Sequence, residues 1–366
     1  MAGQFEITCS RGFPDWLASQ QVSLGVTTYQ GNRLLLLGLK PDGRLAVFQR
    51  VFERCMGLYA VSRPEEPPSQ TLWMTSKCQV WRFENMLVPG QHFDGCDRSF
   101  APQQVFYTGD VDAHDIAVES TGRVLFVSTL LSCVATLSER FSLQPVWRPP
   151  FVSKLAAEDR CHLNGLALEH GRMKYVTACA KADSFDGWRD HRDTGGCVLD
   201  VESGETILTG LSMPHSPRVY RDKLWVLNSG AGEFGYVDRE VGRLECVAEC
   251  SGYARGLAFV NGWALVGTSL PRHEPTFRGL PIEQKFSATG QTPRCGLQVI
   301  SLETGDTAHW VRIEGDVQEL YDVVVLPEVV RPRAAGIQND EVHHNIWFQD
   351  ETGEHRSWTA APKSRP

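Results

Sequence analysis

The segment Asp112-Ala113-His114-Asp115-Ile116-Ala117 returns four times along the chain. It comes back as His162-Leu163-Asn164-Gly165-Leu166-Ala167, His215-Ser216-Pro217-Arg218-Val219-Tyr220, Tyr253-Ala254-Arg255-Gly256-Leu257-Ala258 and Glu319-Leu320-Tyr321-Asp322-Val323-Val324. Each return joins a polar leading end to a short apolar strand. A second element recurs with it: Leu24-Gly25-Val26-Thr27-Thr28-Tyr29, Leu72-Trp73-Met74-Thr75-Ser76, Leu125-Phe126-Val127-Ser128-Thr129, Tyr175-Val176-Thr177-Ala178, Leu224-Trp225-Val226-Leu227-Asn228-Ser229 and Ala264-Leu265-Val266-Gly267-Thr268-Ser269. These β-branched and aromatic runs, most of them followed by a further strand and a Gly- or Asp-containing turn, have strand chemistry. A unit of roughly 40 to 60 residues with four short strands and no helical period between them is a propeller blade rather than a strand-helix-strand unit.

The copies also predict how the ring closes. In the first, Thr27 and Thr28 fall at the second-strand position, with third and fourth strands over 33–38 and 45–49, so this blade lacks an innermost strand. Residues 321–326, ahead of Pro327, supply a spare one. The expected fold is all-β: a single six-bladed β-propeller over 21–327, closed by the C-terminal strand joining the N-terminal blade. Residues 1–20 form an N-terminal segment with one helical turn over 15–20, and 328–366 read as a C-terminal tail without strand or helix period. Insertions at 87–108, 180–195 and 271–294, rich in Gly, Pro and aromatics, are expected as lids.

Composition narrows the partners. With 36 basic against 44 acidic side chains the net charge is −8, and Lys and Arg never run beyond two in a row. Nucleic acid and anionic membranes are therefore not expected to bind. The N-terminus has no basic region followed by an apolar stretch, which predicts a cytoplasmic protein. Eleven Cys without a C-x-x-C pair predict reduced, buried thiols, with Cys246 and Cys250 the closest pair.

Inner strands of a propeller line its channel, so strand alternation sorts the polar residues. Aligning on Gly57, Asp115, Gly165, Arg218, Gly256 and Asp322 puts Met56, His114, Asn164, Pro217, Arg255 and Tyr321 one residue earlier, and Arg54, Asp112, His162, His215, Tyr253 and Glu319 two residues before those. Two polar rings are thus expected at the channel mouth. His114, His162 and His215 suit a divalent or redox metal, with carboxylates orienting the ligands or taking a proton. A metal-free pocket, or His residues that only pin loops to neighbouring carbonyls, are the other readings. Asp112, Glu319 and Tyr321 are the candidate catalytic groups; Arg255, Asn164, Arg54 and Tyr253 are candidate substrate contacts, Arg255 through bidentate binding of a carboxylate or phosphate. Arg218, of opposite parity, is expected to brace blades, and Asp115 and Asp322 to cap strand-leading loops. Cys55 and Cys161 are expected as buried thiols rather than nucleophiles. Trp188-Arg189 and Pro271-Arg272-His273 could close on a ligand, and 228–233 reads as a turn, not a phosphate loop.

The phrases TGDVDAHDIA, EDRCHLNGLA, GLSMPHSPR, LWVLNSGAGEFG, GYARGLAF and ELYDVVVLP resemble a bacterial family of conserved hypothetical proteins over roughly residues 20–330. That resemblance implies a six-bladed propeller and carries no catalytic residues over. More distantly, the architecture is similar to gluconolactonase-like and strictosidine-synthase-like propellers. The gluconolactonase-like enzymes hold a divalent cation mainly through Glu, Asn and Asp. The His-rich ring here shifts the expectation to iron or copper over zinc or calcium. The resulting expectation is a metal-dependent enzyme, an oxidoreductase, hydrolase or lyase, acting on a small molecule or peptide at the channel mouth. A non-catalytic propeller that captures a ligand or peptide is the alternative.

Overall fold

The computed structural model describes residues 5–61, 67–271, 278–337, 341–352 and 355–359. Six four-stranded antiparallel blades surround one axis. Blade 1 is built from the inner strand Asp322–Pro327 followed outward by Val22–Thr28, Arg33–Leu39 and Leu45–Val51; blades 2 to 6 have inner strands Leu58–Val61, Ala113–Val118, Leu163–Glu169, Pro214–Tyr220 and Tyr253–Val260. The last strand of the propeller pairs with the first, Val22 opposite Pro327 through Thr27 opposite Asp322. The closure expected from the missing strand is formed.

The recurring Thr or Ser of the second strand has a structural cause. Thr75 Oγ1 donates to the Ala113 carbonyl at 2.7 Å, Thr129 Oγ1 to Leu163 at 2.6 Å and Ser269 Oγ to Leu320 at 3.0 Å; Thr27 Oγ1 and Ser229 Oγ reach Met56 and Ala254 in the same way. Each hydroxyl thus stitches its blade to the leading end of the next inner strand. Blade 4 has Cys179 where blade 3 has Thr129, and there Asn164 Nδ2 makes the stitch, donating to the Pro214 carbonyl at 3.0 Å.

The position used to align the repeats alternates Gly57, Asp115, Gly165, Arg218, Gly256, Asp322 around the ring. A Cβ on Gly57 would lie 2.9 Å from Asp115 Cα, and one on Gly256 2.7 Å from Asp322 Cα. Three side chains from alternate blades fill the space the glycines leave: Arg218 Nη1 and Nη2 lie 2.9 and 3.2 Å from the Asp115 carboxylate, and Nη2 is 3.5 Å from Asp322 Oδ1. These blades are not neighbours, so the ion triad spans the axis. Asp115 also accepts Leu166 N–H of blade 4 at 3.0 Å, and Asp322 accepts Leu58 N–H of blade 2 at 2.9 Å. The expected bracing by Arg218 is formed. Asp115 and Asp322, expected to cap strand-leading loops, meet Arg218 at the axis instead. Irregular register in the inner strands of blades 3 to 6 at this level breaks strict alternation and re-aims the side chains, as β-bulges do.

Three boundaries also differ from expectation. Residues 87–108 are not one insertion, because Arg98–Tyr107 is the outer strand of blade 2. The N-terminal segment is built into the wall: Phe5–Cys9 adds a fifth strand to blade 6, and the helix Phe13–Gln20 packs Phe13, Trp16 and Leu17 into the core. The expected tail contributes Pro332–Ala334, parallel to the outer strand of blade 2, and buried Arg333 pairs with Glu341 at 2.6 Å. A hairpin follows, Asn345–Gln349 with His355–Thr359. All eleven cysteines are free. Among the described residues no helix is long and apolar enough to cross a membrane.

Deleting residues 319–366 removes the closing strand and is expected to abolish cooperative melting, whereas deleting 345–366 should leave a cooperative transition; calorimetry of both truncations checks this. The axial triad gives a second expectation. Replacing Arg218 by Met strands two buried carboxyls and should cost about 3–5 kcal/mol in denaturant unfolding. Burial, opposed by Arg218 and reinforced by Asp115, pushes the Asp322 carboxyl up to about 7. The folded chain then binds this proton more tightly than the unfolded chain, so its contribution is full below about pH 4 and is lost as pH rises toward 7. Relative to Asp322→Asn, the wild type should therefore lose melting temperature between pH 4 and pH 7; parallel pH profiles of the two proteins would refute the assignment.

Candidate functional site

Above the triad, the leading ends of the inner strands carry the polar groups. Arg54, Asp112 and His162 each adopt a left-handed backbone, with φ of 47°, 52° and 49°. This turn, costly for non-glycine residues and common at functional sites, ends strand alternation just before the inner strand. His162 therefore meets His114 although parity assigned them to different layers.

His114 and His162 are brought together, their ring centroids 5.1 Å apart and their planes at 82°. His114 Nδ1 lies 2.9 Å from the Asp112 carbonyl. A carbonyl only accepts, so Nδ1 carries the proton and Nε2 the lone pair. His162 Nδ1 lies 2.8 Å from Asp159 Oδ2, which also accepts Trp188 Nε1–H at 2.8 Å. Trp188 covers His162 face on, with centroids 4.1 Å apart. Among the described residues the Nε2 atoms of His114 and His162 take part in no hydrogen bond.

Burial depresses the His114 pKa to about 4, although Asp112 pulls it upward, so the ring is neutral near pH 7. Burial raises the Asp159 pKa, but His162, His114 and the Trp188 donor outweigh it and hold the carboxyl below its usual range. Asp159 is therefore a partly buried carboxylate that fixes the ring orientation of His162.

The other expected residues divide. Tyr321 joins the cluster, 5.6 Å from His114 and stacked on Tyr29 at 5.8 Å, with Arg255 over its ring at 5.3 Å. Arg54 pairs with Asp110, which the sequence reading left out, and lies 3.8 Å from Asp112. Asn164 is buried, its Nδ2 turned to Pro214 O and, at 3.1 Å, to Cys179 Sγ, while its buried Oδ1 accepts no hydrogen bond from the described residues. Tyr253 is buried with Trp188 and the blade 6 insertion, its hydroxyl 3.5 Å from Glu283. Glu319 is buried near Cys295, whose thiol pKa burial and this carboxylate raise to about 12. His215 is buried on the inner strand of blade 5, in the bulged stretch.

Among the described residues no three His, Cys, Asp or Glu side chains come together to hold an ion. Asp159 and Trp188 are the residues that matter most beyond the expected set. The spacing of Asp159, three residues before His162, was the available signal, and Trp188 was read only as a lid residue. The lid itself is present. Trp188 lies on the short 3-10 helix Gly187–His191 and packs with Leu280, Ile282 and Phe286 of the blade 6 insertion, whose helix is Pro281–Thr289. His273 and Arg272 lie outside the described residues. Cys55 and Cys161 are buried thiols with pKa values raised to about 12 by burial, as expected. Two adjoining cavities open elsewhere, at the outer edge of blade 2 beneath Asn345, Ile346 and Trp347, and none of the expected site residues lines them.

A family model described as a domain of unknown function, DUF4915, matches residues 11–335. The chain belongs to this family. The match spans the whole propeller, including the strand that closes it. No curated protein matches the chain. A solved nidogen/laminin complex has a chain similar to the DUF4915 fold at TM-score 0.51 and 11% identity, over 84% of this chain and 98% of that one. A gluconolactonase from Xanthomonas campestris is similar at TM-score 0.43 and 12% identity, over 88% and 90% of the two chains. The virginiamycin B lyase of Staphylococcus aureus is similar at 0.40 and 11%, over 98% and 100%. At these identities the likeness concerns the fold alone.

Proposed function

We propose that this chain is an enzyme acting on a small molecule or peptide at the covered channel mouth, with His114 and His162 as its reactive pair. One observation carries the reading. Two adjacent imidazoles have their Nδ1 atoms committed, one to a backbone carbonyl and one to a partly buried carboxylate, and among the described residues neither Nε2 atom is hydrogen-bonded. A neutral, oriented imidazole can remove a proton from a bound O–H or N–H, or hold an ion that polarises it.

The surrounding groups suit such a role. Asp159 fixes the tautomer and orientation of His162 and stabilises positive charge that develops on it, as the third member of a catalytic triad does. Trp188 and the blade 6 helix keep water away, which strengthens every charge interaction beneath them. Arg255 stands over the Tyr321 ring, and its charge helps to depress the His114 pKa. Tyr321 borders His114, the Asp112 carboxylate lies 3.5 Å from His114 Nδ1, and Glu319 lies beside Cys295. The lid over the pair implies a ligand small enough to be enclosed, or a peptide end.

Incubating the full chain with a cellular metabolite extract and following it by mass spectrometry tests the reading. At least one compound should be consumed, and His114→Ala and His162→Ala should each slow its conversion by about 10²-fold or more, the usual size of a lost acid-base contribution. Conversion at the wild-type rate by both folded variants refutes the pair. A compound that co-purifies with the protein unchanged would favour a binding propeller instead.

A further inference from the structure

The geometry points to a binding site for one divalent first-row transition-metal ion at His114 Nε2, His162 Nε2 and Asn164 Oδ1. This rests on the reading of the imidazole pair as the reactive centre and specifies how the pair works. It also replaces the ligand set suggested by the sequence, in which the third donor was His215.

Three observations carry it. First, both imidazoles donate Nδ1–H to an oxygen, the Asp112 carbonyl and the Asp159 carboxylate. That outer hydrogen bond is the arrangement that orients metal-ligating His and raises its basicity. Second, the rings stand at the right separation. With metal–nitrogen bonds of about 2.0–2.1 Å, each ring centroid lies about 3.2 Å from the ion, and a tetrahedral angle puts two centroids about 5.2 Å apart. The observed separation is 5.1 Å. Third, Asn164 is only 2% exposed and its Oδ1 accepts nothing among the described residues. Its Nδ2 is consumed by Pro214 O and Cys179 Sγ, which fixes the amide so that the oxygen faces away from both.

The exception in the inter-blade stitching supplies the reason for Asn164. In blades 1, 2, 3, 5 and 6 a Thr or Ser hydroxyl makes the stitch; in blade 4 alone the amide nitrogen of Asn164 does. A Thr or Ser hydroxyl also holds the blades together, but in blades 1, 2 and 6 its oxygen is taken up by a backbone N–H, of Asp322, Gly57 and Leu320, whereas the Asn164 oxygen accepts nothing among the described residues. Asn holds the blades and presents an oxygen two residues from His162. A buried acceptor left without a donor costs about 1–3 kcal/mol, and a cation removes that cost. Two imidazole nitrogens and one neutral carbonyl oxygen make a three-ligand site with positions left open for water or substrate, which is the pattern of catalytic rather than structural sites. Imidazole donors favour a transition ion over Ca²⁺ or Mg²⁺.

The test uses the full chain, dialysed against chelator and titrated with Co²⁺, whose visible absorption reports nitrogen ligation, and with Zn²⁺ by calorimetry. We expect one ion per chain. His114→Ala and His162→Ala should each weaken binding at least tenfold. Asn164→Ala should weaken it as well, whereas Asn164→Asp, which keeps an oxygen ligand but removes the amide donor, should bind at least as tightly as the wild type. His215→Ala should bind like the wild type. Failure of the wild type to bind either ion overturns the inference without relying on any variant. So does a folded Asn164→Ala that binds with wild-type affinity, or a His215→Ala that loses the ion. If no ion binds yet His162→Ala still loses turnover, the imidazole pair stands as a direct acid-base device and only the metal assignment falls. If the ion binds as expected but turnover survives in both His variants, the site is real and the catalytic reading fails.

Discussion

Six inner strands converge on an axis with space for three side chains. Gly57, Gly165 and Gly256 leave the room; Asp115, Arg218 and Asp322 occupy it. Because the charged residues come from alternate blades, their ion pairs cross the axis and cannot form until the ring is complete. Each carboxylate also accepts a backbone N–H from another blade, Asp115 from Leu166 and Asp322 from Leu58. The triad therefore sets the distance and angle between blades, and with them the floor on which the His cluster stands. A buried charge group of this kind contributes little net stability when compared with apolar packing. Its consequence is geometric: one arrangement of blades satisfies it.

Around this hub the blades are held by one repeated hydrogen bond, a hydroxyl from the second strand to the carbonyl at the leading end of the next inner strand. Each such bond adds about 1 kcal/mol net, and their regularity makes the exception informative. Blade 4 carries the exception and also carries His162, Asn164 and the loop with Trp188. Natural chains tend to break their own local rules at functional sites, and here the broken rule coincides with left-handed residues at 54, 112 and 162 and with two imidazoles whose Nε2 atoms make no hydrogen bond among the described residues.

Much of the fold was legible because it depends on period and count. The second-strand copies gave six blades, and the missing inner strand of the first blade, with a spare strand before Pro327, gave the closure. The site was legible only in outline. Its residues were found by alignment of repeats, but parity placed His114 and His162 in separate layers and sent Asp115 and Asp322 away from the axis. Left-handed turns and bulged register at the leading ends of blades 3 to 6 account for His162 and Asp115, since alternation holds only while the backbone stays extended; Asp322 stands in regular register opposite Thr27. Nor did the pattern reveal that Arg98–Tyr107 is a strand, or that Phe5–Cys9 and Pro332–Ala334 extend two blades. Edge additions need only a partner edge and carry little signal of their own.

What the sequence by itself determined is the blade: its strands, its number of copies, the strand that closes the ring, and the stock of His, Asp, Asn and Arg at one end. These follow from side-chain chemistry repeated at short range. What only the tertiary structure decided is which of those polar groups meet. Arg218 finds Asp115 and Asp322 across the axis; Asp159 finds His162 and Trp188; Asn164 is turned by Pro214 and Cys179 so that its oxygen accepts nothing among the described residues. The physical reason is that these contacts join residues of different blades or of loops folded over them. Their distances are set by ring closure and by a few left-handed residues, neither of which leaves a periodic trace in the order of the amino acids.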